Sequence, residues 1–117
     1  MKLPGEDKIV KNYDLAQYKT SNVSNIVRLI CKKQGNVVQI SGTVATIALN
    51  VKQGGPLLQN LPAELTPSAL FEGIAMNNST GEIYRIYINT DGSLHIYPVA
   101  NSIPAGQQSF INISYIV

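Results

Sequence analysis

The chain has 117 residues and a formal charge of +2 at neutral pH, from 9 Lys and Arg against 7 Asp and Glu. That length fits one domain with a core of its own. So small a positive excess gives no reason to expect a nucleic-acid track or an anionic membrane face. Strand-favouring residues dominate: 14 Ile, 9 Val, 6 Thr, 6 Tyr and 2 Phe stand against 10 Leu and 8 Ala, which points to an all-β fold. The 18 Asn and Gln outnumber the 16 charged residues, so the surface is expected to hold water through amides more than through charge. A single cysteine, Cys31, excludes an internal disulfide, and with the single histidine, His95, it cannot furnish a structural zinc site. No apolar run reaches the roughly 20 residues of a membrane-spanning helix. Met1-Lys2-Leu3-Pro4-Gly5-Glu6-Asp7 lacks the apolar stretch of a signal peptide.

Residues 1–22 carry Lys2, Lys8, Lys11 and Lys19 with Glu6, Asp7 and Asp14, and show little periodicity. They read as an N-terminal arm or the end of a stem, with a short helical turn near Asp14–Lys19. Residues 23–117 read as the domain proper. Asn25–Lys33 and Val37–Leu49 form a first hairpin around Gln34-Gly35-Asn36, the second strand bent or bulged at Gly42. Asn50–Thr66 is a long connection in which no periodic element fits. Ala69–Met76 is a strand, followed by a turn over Asn77–Gly81. Glu82–Asn89 and Ser93–Tyr97 flank Asp91-Gly92. Pro98–Gln108 is a loop and Ser109–Val117 a last strand. Six or seven strands with such frequent turns suggest an antiparallel β-sandwich or jelly roll.

The Asp91-Gly92 turn can be assigned a register. A two-residue loop would mix Ile86 and Ile88 with His95 and Tyr97 on one face. A three-residue loop, Thr90-Asp91-Gly92, puts Ile86, Ile88, Leu94 and Ile96 on one face and Arg85, Tyr87, His95 and Tyr97 on the other. A slip of one residue exchanges every side chain between faces, so the cleaner separation decides for the longer loop. Gly92 then occupies the left-handed position that closes a type I turn with a bulge. Several other strands are apolar on both parities, notably Asn25–Lys33 and Ser109–Val117. A monomer has no use for a second apolar face, so a homo-oligomer is expected to cover it.

Catalytic patterns are scarce. There is no Gly-x-Ser-x-Gly elbow, and Gly54-Gly55-Pro56 lacks the lysine and serine of a phosphate loop. Cys31 shares strand phase with Val27 and Leu29 and is expected to be a buried, unreactive hydrophobe. Glu64, Glu72 and Glu82 show no paired spacing of the kind glycoside hydrolysis needs. Lys32-Lys33 reads as solvated charge at a hairpin end. The sequons at Asn22, Asn77, Asn78 and Asn112 are chance products of an Asn-rich chain. No enzyme, cofactor or metal is therefore expected. The stripe Arg85, Tyr87, His95 and Tyr97 remains as the candidate ligand-binding site. Aromatic rings beside hydrogen-bonding groups suit a sugar. Cross-strand stabilisation or a subunit interface would use the same residues, and together these outweigh the sugar reading for any single one. The loops at 50–60 and 99–108 stand next in line as ligand sites.

The order of segments resembles one family. Gly35-Asn36-Val37-Val38-Gln39-Ile40-Ser41-Gly42 is followed by Leu61-Pro62-Ala63-Glu64-Leu65-Thr66-Pro67, then Thr90-Asp91-Gly92-Ser93-Leu94-His95-Ile96-Tyr97, and finally Ile113-Ser114-Tyr115-Ile116-Val117. Over residues 35–117 this resembles the C-terminal head domains of receptor-binding and tail-fibre proteins from tailed phages of Gram-positive hosts. It departs from them at Glu64-Leu65-Thr66, where the family often has a glycine, an aromatic and a basic residue. The resemblance implies a homotrimer of β-sandwich heads at the virion tail tip, assembled with tail or baseplate proteins. Such heads bind host cell-surface saccharide, either wall teichoic acid or cell-wall polysaccharide, without catalysis. The alternative from another class is a purely structural trimerisation or tail-tip module without a ligand. Complete proteins of this family also carry an attachment region and a stem, so this chain is expected to be a head fragment or a separately translated short product.

Overall fold

A computed structural model describes residues 9–117. Eight strands form one curled antiparallel sheet: β1 (Val10–Tyr13), β2 (Val23–Gln34), β3 (Val37–Thr46), β4 (Gly55–Leu58), β5 (Phe71–Asn77), β6 (Ile83–Ile88), β7 (Leu94–Tyr97) and β8 (Gln108–Ile116). Their spatial order is β1-β2-β3-β8-β5-β6-β7-β4. The strand latest in sequence thus lies between β3 and β5. The sheet curls until β4, at one end of that order, meets the segment that leads into β2. Thr20 N–H donates to the Leu57 carbonyl (3.0 Å) and Gln59 N–H to the Tyr18 carbonyl (2.9 Å).

Curling gives the sheet an inside. In β8 the alternation is complete: Ser109, Ile111, Ile113 and Tyr115 are buried, and Gln108, Phe110, Asn112, Ser114 and Ile116 are exposed. Val38, Ile40 and Val44 of β3, Ala75 of β5, and Leu57 and Leu58 of β4 fill the same interior. Burying each of the larger aliphatic side chains is worth about 1.5–3 kcal/mol, which makes this interior the main source of stability. The segment 61–67 closes the core from one side with Leu61 and Leu65. The Tyr115 hydroxyl, buried, donates to the Leu65 carbonyl (2.7 Å). Burial raises its pKa well above the ordinary tyrosine value.

The β6–β7 register is the one expected. Arg85 pairs with Tyr97, Ile86 with Ile96, Tyr87 with His95 and Ile88 with Leu94. The loop is Thr90-Asp91-Gly92, closed by Asn89 N–H to the Ser93 carbonyl (2.9 Å) and Gly92 N–H to the Asn89 carbonyl (3.1 Å). Gly92 has φ +79°, and a Cβ there would lie 2.9 Å from Thr66 Oγ1 and 3.0 Å from the Leu61 carbonyl oxygen. Its own carbonyl accepts from Leu61 N–H (3.1 Å), so the turn also anchors the segment that closes the core.

Three expectations are corrected. The connection over 50–66 is not devoid of regular structure: it holds β4, paired with β7, and a 3-10 turn at Ala63–Leu65. The irregularity expected in β3 at Gly42 lies in the partner strand. Val44 pairs with Ile26 and Thr43 with Arg28, so Val27 is the extra residue and is half exposed. Gly42 is needed there for a different reason, because a Cβ on it would sit 2.1 Å from the Arg28 carbonyl oxygen. Cys31 is buried, but the bulge breaks its phase with Val27 and leaves it in phase with Leu29. Near the N-terminus, β1 pairs with residues 31–34, Leu15 is in the core, and the helical turn is a 3-10 turn at Ala16–Tyr18. The expected arm also includes residues 1–8, which lie outside the described residues.

Gly92→Ala is expected to lower the unfolding free energy by about 1–2 kcal/mol from the left-handed backbone alone, and by more if Leu61 and Thr66 cannot give way. Denaturant unfolding reads this directly, and a neutral result would mean that the turn can change type. Cys31 should resist a thiol reagent in the native protein. Burial raises its pKa to about 11, leaving little thiolate at neutral pH. Labelling as fast in buffer as in denaturant would contradict its place in the core.

Candidate functional site

The inward Ile86, Ile88, Leu94 and Ile96, all fully buried, force their neighbours outward. The four expected site residues are therefore brought together on the outer face of β6 and β7. Tyr87 and His95 are stacked, with ring centroids 5.0 Å apart and planes 3° from parallel. Such a pair adds about 0.5–1.5 kcal/mol beyond area burial. The Arg85 guanidinium carbon is 6.0 Å from the Tyr97 ring centroid, at the outer limit of a cation–π contact. Arg85 also forms an ion pair with Glu72 of β5, which is paired with Tyr87 in the sheet. Both side chains are more than half exposed, so the pair contributes no more than about 1 kcal/mol. Glu72 was not among the expected residues. The signal was present, since β5 pairs with β6 across a short turn and the parity of Glu72 matches that of Tyr87.

His95 is held by the turn. Ser93 Oγ donates to Asp91 Oδ1 (2.5 Å) and lies 3.0 Å from His95 Nε2. Because the serine proton is committed to the carboxylate, the imidazole must donate through Nε2–H. The Ser93 hydroxyl bond is the main reason that the Asp91 pKa lies below the ordinary value. Burial lowers the His95 pKa, partly opposed by the Asp91 charge, so the ring is neutral at pH 7. This order of Asp, Ser and His is the wrong one for acyl transfer. The serine sits between the carboxylate and the imidazole, is nearly buried, and has no base to take its proton. The chain of bonds orients His95 against Tyr87. Among the described residues no group of three or more His, Cys, Asp and Glu could hold a metal ion.

Next to the stripe lies an apolar outer patch. Ile74, Met76, Ile83 and Phe110 are adjacent across β5, β6 and β8: Met76 pairs with both Phe110 and Ile83, and Ile74 pairs with Arg85. Ile74 is 60% exposed and Ile83 56%. Of these only Phe110 lies in a strand that sequence parity marked as apolar on both faces; Ile74, Met76 and Ile83 belong to β5 and β6 and were not singled out. At one end of the sheet a cleft of about 390 Å³ opens between the β5–β6 turn and the loop before β8. Sequence reasoning reached it only as the 99–108 loop. Lys33, read as solvated charge, donates through Nζ to the Glu64 carbonyl (2.9 Å).

No protein-family model matches the sequence, and no curated protein does. Solved structures do match. The receptor-binding head domain of lactococcal phage bIL170 superposes with a TM-score of 0.73 at 18% identity, over 93% of this chain and 99% of that one. The receptor-binding protein gp15 of Listeria phage PSA superposes with a TM-score of 0.65 at 19% identity, over 97% of this chain and 68% of that one. Both are proteins of phages that infect Gram-positive bacteria, the group that the sequence resemblance pointed to. At such identities the likeness is one of architecture, and in architecture this chain has the fold of a phage receptor-binding head domain.

Proposed function

We propose that the chain is a receptor-binding head that attaches a phage tail tip to host cell-surface saccharide without catalysis. The observation that carries this reading is the match to a complete receptor-binding head over 93% of this chain and 99% of that one. A whole-length match at low identity supports a shared scaffold and carries over no particular ligand. Residues 23–117 act as the head together with β1 and Leu15, which its sheet and core take in from the expected arm. The saccharide is wall teichoic acid or cell-wall polysaccharide. Arg85, Tyr87, His95 and Tyr97 form its platform, with the rings covering sugar C–H faces, Arg85 donating to hydroxyls or phosphate and Glu72 accepting from hydroxyls. The head works as a homotrimer attached to tail or baseplate proteins, and Ile74, Met76, Ile83 and Phe110 supply apolar area for that assembly. Three linked heads raise the apparent affinity through effective concentration.

A purely structural role without a ligand has one observation in its favour. The Tyr87–His95 stack and the Arg85–Glu72 pair already occupy one another within the chain. The two readings separate on binding to intact bacterial walls against walls stripped of teichoic acid and polysaccharide. An adhesion head binds the former and loses the latter; a structural module binds neither.

Tyr87→Ala, His95→Ala and Tyr97→Ala should each weaken wall binding by about fivefold to tenfold, the loss of one stacking contact of about 1 kcal/mol. Their melting temperatures should fall only slightly. Dissociation of the oligomer in all three would reassign the stripe to an interface. Sedimentation at micromolar concentration should return a trimer, and Ile74→Lys or Phe110→Asp should disperse it. A stable, folded monomer of the unaltered chain would remove the trimer.

A further inference from the structure

We infer that the cleft between the β5–β6 turn and the 98–107 loop is a second ligand site, distinct from the stripe and built for the vicinal hydroxyls of an uncharged saccharide. Its floor is rigid. Asn77 is almost fully buried, and its amide is saturated: Nδ2 donates to Tyr84 Oη (3.0 Å) and Gln107 Oε1 (2.7 Å), while Oδ1 accepts from the backbone N–H groups of Ser79 (2.8 Å) and Thr80 (3.1 Å). One buried side chain therefore fixes the β5–β6 turn, the Tyr84 hydroxyl and the end of the facing loop relative to one another. A second link crosses the rim, where Asn101 Nδ2 donates to Glu82 Oε1 (2.7 Å).

These bonds also decide what is left over. Gln107 accepts from Asn77 through Oε1, so its NH₂ group faces away as a donor with no partner among the described residues. Asn101 donates to Glu82 and keeps its carbonyl oxygen as an acceptor. The Thr80 and Ser102 hydroxyls accept from the backbone N–H groups of Glu82 (3.2 Å) and Val51 (3.0 Å), which leaves their protons to give. Glu82 accepts from Asn101 and also interacts with the Tyr84 hydroxyl, which leaves its remaining lone pairs as acceptors. Free donors and free acceptors thus both line one concave surface. A sugar hydroxyl both donates and accepts, so a pair of neighbouring hydroxyls matches such a rim. The volume, about 390 Å³, lies within the range of small-molecule sites. Charge narrows the class. Among the described residues Glu82 is the only ionised group lining the cleft and no Lys or Arg joins it, so a phosphodiester or uronate would meet a carboxylate with no cation beside it. A lone carboxylate also cannot hydrolyse a glycoside, which takes two. The cleft binds and does not cut.

The biological ligand of this cleft rests on the receptor-binding reading, but its chemistry can be tested without cells. The isotope-labelled full chain is titrated by NMR with methyl α-D-glucopyranoside, N-acetylglucosamine and L-rhamnose, and separately with sn-glycerol 3-phosphate. The side-chain amides of Asn101 and Gln107 should shift with at least one neutral sugar and stay still with glycerol phosphate. Glu82→Gln and Asn101→Ala change one half-buried and one exposed rim group and should each weaken that sugar by about tenfold, the loss of a hydrogen bond to a charged or fixed partner. The inference is overturned by silence of both amides with every neutral sugar, by a response to glycerol phosphate alone, or by shifts confined to the rings of Tyr87 and Tyr97. Failure of the chain to bind bacterial walls while the cleft binds sugar would instead count against the adhesion role. Wall binding with both amides silent would count against the cleft alone.

Discussion

Everything outside this domain is set by what its inside will accept. The interior of the curled sheet is filled by residues of one parity from each strand, and Ile86, Ile88, Leu94 and Ile96 have no measurable exposure at all. A one-residue slip between β6 and β7 would turn two of the four out into water and bring polar side chains in, at a cost of several kcal/mol. The three-residue turn closed by Gly92 is the device that enforces the permitted register. The outer stripe is thus a by-product of the core: Arg85, Tyr87, His95 and Tyr97 are neighbours because the residues between them are buried.

The outer surface then divides into regions of different chemistry. The aromatic stripe is amphipathic and partly self-satisfied, with His95 fixed in one tautomer by Ser93. The patch around Ile74 and Phe110 is apolar and carries no hydrogen-bonding capacity. The cleft floored by Asn77 is polar, rigid and negatively biased. In the role proposed above, such a surface meets a hydrated polymer, copies of itself and a tail assembly, and has a region suited to each. Their separation on one small sheet lets each change without unfolding the others, since all three depend on the same buried set and not on one another.

How far this was legible in the sequence follows from the kind of signal each feature leaves. The β6–β7 hairpin was legible because alternation there is unambiguous and only one loop length sorts the faces. β4 was not, because Gly55-Pro56-Leu57-Leu58 shows no alternation. Glycine and proline read as breakers, and the register shift between Pro56 and Leu58 lets two successive leucines point inward. Proline is tolerated at such a place because β4 lies at one end of the strand order. The bulge at Val27 was hidden in a run apolar on both parities, where an extra residue changes nothing in the pattern. The stripe was found from spacing alone, whereas Glu72 required knowing that β5 borders β6. The cleft was harder still. Asn77 looks like an ordinary turn asparagine and one of several sequons, and its partner Gln107 is 30 residues away in a loop without periodicity.

The insertion of β8 between β3 and β5 has a consequence for how the molecule comes into being. β3 ends at Thr46 and β8 starts at Gln108, so the ladder joining them cannot begin to form until most of the chain has left the ribosome. Until then the β2–β3 hairpin and the β5–β6–β7 meander are separate pieces, each with a bare inner face and an unpaired edge. Contacts so distant in sequence slow folding. Nascent chains in that state can pair with one another before β8 arrives. Production of this domain in quantity should therefore be governed by the time the chain spends waiting for its final strand, more than by the stability it has once that strand is in place.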